Sequence, residues 1–133
     1  MSRTGLSNLL VVHGFVTLLA GIVLSLSPGL IPATVGVHLN RSAFLVAYLL
    51  AGAEVGLAVL SFGGSRLTDP AALRVIAWSC LAFHAWSALL ELYAYSRGVN
   101  AVILANVAVR VVIIALFANF STAPEIAEPR SAR

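Results

Sequence analysis

Lysine is absent from this 133-residue chain, cysteine occurs once, and charged side chains of all kinds make up only 10% of it. Each shortage excludes something. A soluble globular domain devotes about a quarter of its residues to charge, so this composition lies far from that class. The single thiol, Cys80, rules out an internal disulfide and reads as a small core residue. The eight cationic side chains, all arginines, give a formal charge of +3 and a pI near 9.8. They are scattered singly along the chain and form no basic stripe, so nucleic acid is not an expected partner. Compact catalytic signatures are missing too. There is no HExxH or similar metal motif, no glycine-rich phosphate loop and no Ser/His/Asp arrangement of known spacing. The chain therefore reads as a non-enzymatic protein with no metal site.

What is present is apolar. Hydrophobic residues make up 60% of the chain, and its mean hydropathy is +0.99. They gather into four runs, Leu6–Leu26, Ala43–Phe62, Ala71–Tyr95 and Ala101–Phe120. About 20 helical residues at about 1.5 Å each cross a hydrocarbon core of about 30 Å, so each run is long enough to span once. The runs do not alternate as strands do, and an open sheet edge cannot sit in lipid. The expectation is one domain over residues 1–120, an all-α integral membrane protein built as an antiparallel bundle of four transmembrane helices. Residues 121–133 ("STAPEIAEPRSAR") carry two prolines and mixed charge, and read as a disordered cytoplasmic tail.

Punctuation supports these boundaries. Asp69 and Pro70 form an N-cap and N1 pair before the third helix, and Asn40 or Ser42 caps the second. Gly98 after Arg97 suits a helix C-terminus, which makes "SRGVN" a tight turn between the third and fourth helices. "SPGLIPATVGVHLNR" (27–41) is longer and apolar, and is expected to form a short interfacial helix or folded cap. Arg3, Arg66, Arg74, Arg130 and Arg133 fall on one side and Arg41 and Arg97 on the other. By the positive-inside rule both termini are cytoplasmic.

The polar residues inside the runs carry the functional expectation. Arg110 interrupts "ANVAVRVVII" and costs about 2.5–3.5 kcal/mol at a helix centre, which the surrounding aliphatic residues offset on insertion. Once buried, it still needs a partner. Measured from the cytoplasmic end of each run, Arg110 lies about 15 Å deep, Glu54 about 12 Å and His13 about 10 Å. On the same scale His84 and Asn106 lie about 20 Å deep and Glu91 about 30 Å. This ruler pairs Arg110 with Glu54 and sends Glu91 toward Arg97, Arg41 or water. Asn106 and Arg110 share a face at i,i+4, and Cys80, His84, Ser87 and Glu91 form a polar stripe on the third helix. Glu54, Arg110, His13, His84 and Asn106 are thus the candidate substrate- or proton-binding cluster. Gly52 and Gly56 form a small-xxx-small face opposite Glu54, suited to helix packing inside the bundle or against a second protomer.

Three functional readings follow. In the leading one the bundle moves a small solute or a proton, as an oligomer, with Glu54 titrating beside the fixed charge of Arg110. In the second it is an accessory subunit docked on a larger membrane complex through Gly52 and Gly56. In the third it is a haem- or quinone-linked redox protein using His13 and His84 as axial ligands. Their difference in depth, about 9 Å on this ruler, argues against a b-type haem, and no cofactor is expected.

"SPGLIPATVGV", "AGAEVGLAVLSFGG" and "LRVIAWSCLAFHAWSALLELYAYSRGVNA" together resemble small four-helix bacterial inner-membrane proteins, loosely the DoxX-like group. The resemblance implies a four-helix bundle in the bacterial inner membrane, with the lipid bilayer and other membrane proteins as partners. It supplies no catalytic residues.

Overall fold

The computed structural model describes residues 3–121. Every regular element among them is helical: α1 (Arg3–Leu26), α2 (Leu30–Thr34), a 3-10 turn (Arg41–Ala43), α3 (Phe44–Gly64), α4 (Pro70–Ser96) and α5 (Ile103–Ser121). α1, α4, α5 and the stretch Arg41–Gly64 are each long and apolar enough to cross a membrane. The expected tail lies, beyond Ser121, outside the described residues.

Local chemistry sets the helix ends. The Asp69 carboxylate accepts from the backbone N–H groups of Ala71 (3.1 Å) and Ala72 (3.2 Å), satisfying two donors that the first turn leaves open. Asn40 accepts from the Ala43 N–H at 3.0 Å and so starts the turn that leads into α3. After α4 the chain reverses at Gly98, whose φ of +99° a side-chain-bearing residue rarely adopts. Within the 27–41 connection the chain forms one short helix, α2, over Leu30–Thr34. It bends back at Gly36 (φ +78°), which lies beside Asn100 of the α4–α5 turn.

The long helices pack as two pairs, α1 along α3 and α4 along α5. In the first pair α1 presents glycines. A Cβ on Gly14 would stand 2.8 Å from the Phe62 ring, and one on Gly21 would stand 2.8 Å from Val55 and 3.1 Å from the Ala51 carbonyl. The two pairs meet around Leu10, Ile76, Ala77, Cys80 and Phe117, all buried. Gly64 admits Ile76 at the same junction.

Outside this narrow core the helices are apolar on the surface. Phe15, Leu19, Val46, Leu49, Val59, Trp86 and Val112 are each more than half exposed. Only 17% of the most apolar stretch of α5 is buried, and 33% of that of α1. In contrast, the residues that the chain does bury include His13, Thr17, Glu54, Ser61 and His84.

Candidate functional site

The buried polar residues converge where the two helix pairs meet. His13 on α1 touches Ser61 on α3 (Nδ1 to Oγ, 2.8 Å) and His84 on α4 (Nε2 to Nε2, 2.8 Å). His84 Nδ1 in turn receives Arg110 Nη1 of α5 at 3.1 Å. Arg110 Nε–H donates to Glu91 Oε1 of α4 at 2.8 Å, and Asn106 Nδ2 donates to the same oxygen at 2.7 Å. One hydrogen-bonded chain therefore joins all four long helices.

Its proton order follows from its ends. A guanidinium can only donate, so His84 Nδ1 must accept. A neutral His84 then carries its proton on Nε2 and donates to His13 Nε2. That leaves His13 with its proton on Nδ1, where it donates to Ser61 Oγ. From Arg110 Nη1 through the two histidines, each donor points toward Ser61. Arg110 does not give up a proton in proteins, so the histidine chain ends there. Through-going proton transfer along it is blocked. Rings hold the network laterally: Phe117 meets His13 edge-on at 5.3 Å, and Phe83 lies 5.9 Å from the Arg110 guanidinium.

Two sequence expectations are corrected here. The partner of Arg110 is Glu91, not Glu54, and Glu91 is neither at the surface nor paired with Arg97 or Arg41. The two histidines lie at one level rather than about 9 Å apart. The first error comes from measuring depth at the wrong end. α4 has 27 residues and α5 has 19, so their far ends are ragged, and the Gly98 turn is what sets their register. Glu91 lies five residues before the end of α4 and Arg110 seven residues into α5. At 1.5 Å per residue they sit about 8 and 11 Å from the turn, and the arginine side chain covers the difference.

Among the described residues Glu54 is left without a hydrogen-bond or ion-pair partner. It is 8% exposed and close enough for Arg110 to act on it electrostatically, yet it makes no hydrogen bond or ion pair to any described residue. His13, His84, Arg110 and Asn106 are thus brought together as expected, while Glu54 lies nearby but unjoined. Ser61 was missed, although its i+7 spacing from Glu54 puts it on the same face of α3.

Gly52 and Gly56 do not pack inside the chain. A Cβ at either meets nothing within 4 Å, so that face of α3 is open. The close approaches use Gly14, Gly21 and Gly64 instead. The histidine pair also fails the geometric test for a bis-histidine haem. Two metal–nitrogen bonds of about 2.0 Å require about 4 Å between the ring nitrogens, and these stand 2.8 Å apart around a shared proton. Cys80 is fully buried beside Ser61, as a core residue.

A cavity of about 690 Å³ opens at the end of the molecule that carries the 27–41 connection and the α4–α5 turn. Leu24, the connection, the first half of α3 and the first half of α5 line it, with Glu91, Asn106 and Arg110 in its wall.

Comparison of the chain with family models, with curated proteins and with solved structures gave no match, so geometry alone carries the functional reading.

Proposed function

We propose that this chain is an integral protein of a bacterial inner membrane, an antiparallel four-helix bundle with both termini cytoplasmic, and that it moves a proton or another small solute through its interior. The outward-facing apolar side chains support insertion, since soluble monomers rarely expose apolar patches beyond a few hundred Å². The five-to-two division of arginines supports the orientation.

The unpartnered Glu54 carries the functional part. Three ionisable groups lie near one another in the bundle: Glu91 and Arg110, which are joined, and Glu54, which Arg110 reaches only electrostatically. Arg110 is committed to Glu91 by a 2.8 Å ion pair and to His84. Glu54 therefore feels Arg110 only at longer range, through a charge already committed elsewhere, and a proton or a small cation would complete its neutralisation. A buried charge left alone is costly, so the carboxyl is the group that loads and unloads. The Arg110–Glu91 pair and the two histidines are its fixed surroundings.

The test is flux in vesicles reconstituted with the whole chain, read with an internal pH-sensitive dye under an imposed potassium diffusion potential. Wild-type protein is expected to raise proton flux above that of protein-free vesicles, and Glu54→Gln to return it to background. Equal flux with and without the Glu54 carboxyl overturns the reading.

The open face of α3 favours one further role. Because no described residue covers Gly52 and Gly56, a second copy or a larger membrane complex docks there in this reading.

A further inference from the structure

The cavity at the turn end is lined by eighteen residues, all apolar except Thr34, Glu91, Asn106 and Arg110. From this lining we infer that the cavity is a binding site for an uncharged, largely apolar molecule whose single polar head is a hydrogen-bond-accepting oxygen, as in a ketone, ester or alcohol. The assignment goes beyond the movement of a proton or solute and does not depend on it.

Size comes first. About 690 Å³ lies within the roughly 300–1,000 Å³ of small-molecule sites. The wall on the connection side is shared by α2, which has no buried residue, and by Val35, Val37 and Leu39 beyond it. Its Ile31 borders the cavity and not the core.

The polar wall is concentrated. Glu91 Oε1 accepts from both Asn106 Nδ2 and Arg110 Nε, so three of the four polar residues form one patch. A molecule filling the cavity meets apolar side chains everywhere except there and at Thr34, whose hydroxyl is already donated to the Ile31 carbonyl, and one polar group on an apolar body matches that pattern.

Charge and hydrogen-bonding capacity define the head. Arg110 and Glu91 neutralise each other, so a charged head would bring an uncompensated ion into apolar surroundings. The patch also has more donors to spare than acceptors. Of the five guanidinium N–H groups of Arg110, one is directed to Glu91 and one to His84, and the Asn106 amide uses one of its two. Glu91 Oε2 has no partner among the described residues, but it is buried out of reach of a water-sized group and cannot serve a ligand. The spare capacity is therefore N–H, and the complementary head accepts. A free small molecule and the ester carbonyl of a bilayer lipid share this chemistry.

The test is photolabelling of the full chain in phosphatidylcholine vesicles with a diazirine-tagged undecan-2-one, followed by peptide mapping. Labelling is expected on the segments bearing Val35, Val46 and Val109. Unlabelled undecan-2-one should compete at least tenfold better than undecane, undecanoate or undecylamine. Ala105→Phe, which fills the cavity from an exposed position, should abolish the labelling while helicity is kept. Asn106→Leu should reduce the preference for ketone over undecane about fivefold, the loss of one neutral hydrogen bond. Repeating the labelling in ether-linked vesicles separates the two sources. Equal labelling assigns the site to a free molecule, and labelling that appears only without lipid esters assigns it to the bilayer's own carbonyls. Undecane or undecanoate competing as well as the ketone, or labelling unchanged by Ala105→Phe, overturns the inference.

Discussion

Whether Arg110 needs Glu91 or Glu54 is a question about single side chains, and it decides how the interior works. Glu91 is bound to Arg110 and Asn106 and is 16% exposed, as is the arginine. Glu91→Ala strands the guanidinium on one histidine nitrogen and frees the Asn106 amide. Breaking a buried pair from one side costs about 3–5 kcal/mol, and with partial exposure the lower end, about 3 kcal/mol, is expected. Glu54→Gln breaks no bond in this structure and should cost well under half of that. Unfolding midpoints of the two variants in a denaturing-detergent titration, compared with wild type, check this ordering. The reverse ordering would restore the Arg110–Glu54 pair. That pair was the natural sequence reading, because both residues lie mid-run on helices of similar length. The Cys80–His84–Ser87–Glu91 stripe held the contrary hint: Glu91 shares a face of α4 with His84, and His84 is buried.

Helix pairing turns on glycines that hydropathy does not rank. In α1 a side chain on Gly21 would meet the Ala51 carbonyl at 3.1 Å, and a backbone oxygen cannot rotate away. Gly52 on α3 has open space. Gly21→Leu is therefore expected to destabilise the bundle by about 1–3 kcal/mol, the usual cost of overpacking. Gly52→Leu should leave the denaturation midpoint of the monomer within error. Equal losses at the two positions would mean that α3 packs by its other face. The GxxxG spacing at Gly52 and Gly56 was conspicuous in the sequence, whereas Gly14 and Gly21, seven apart on the first helix, were the ones α1 uses. Spacing identifies a smooth face. It does not say which neighbour arrives.

At the scale of the whole molecule, the chain covers little of its own apolar surface. In the proposed membrane setting lipid would cover most of the remainder, and the open Gly52/Gly56 face is the place where a second helix can come close. If a partner docks there, Gly56→Leu should release it and shift the detergent-solubilised particle to lower mass, with helicity and the His13–His84 network intact. Sedimentation of wild type and variant reads this directly. A wild-type particle that is already monomeric, or an unchanged complex in the variant, removes the docking reading.

Composition and periodicity alone determined that the described chain is helical and that four helices are long and apolar enough to span. They also determined that Asp69 and Gly98 bracket α4 and that the polar residues His13, His84, Asn106 and Arg110 belong to one cluster. These are local properties: run length, caps and the face on which a residue lies follow from positions a few residues apart. The tertiary structure decided who pairs with whom. Partners across helices depend on relative helix offset, and an error of one turn is about 5.4 Å, more than the reach of a hydrogen bond. That offset is set by the Gly98 reversal for α4 and α5, and by the tight contacts of Gly14 and Gly21 for α1 and α3. For this reason Glu91 displaced Glu54 as the partner of Arg110, while the packing of Leu10 against Ile76, Ala77 and Cys80 brings α1 to α4 where the two histidines meet.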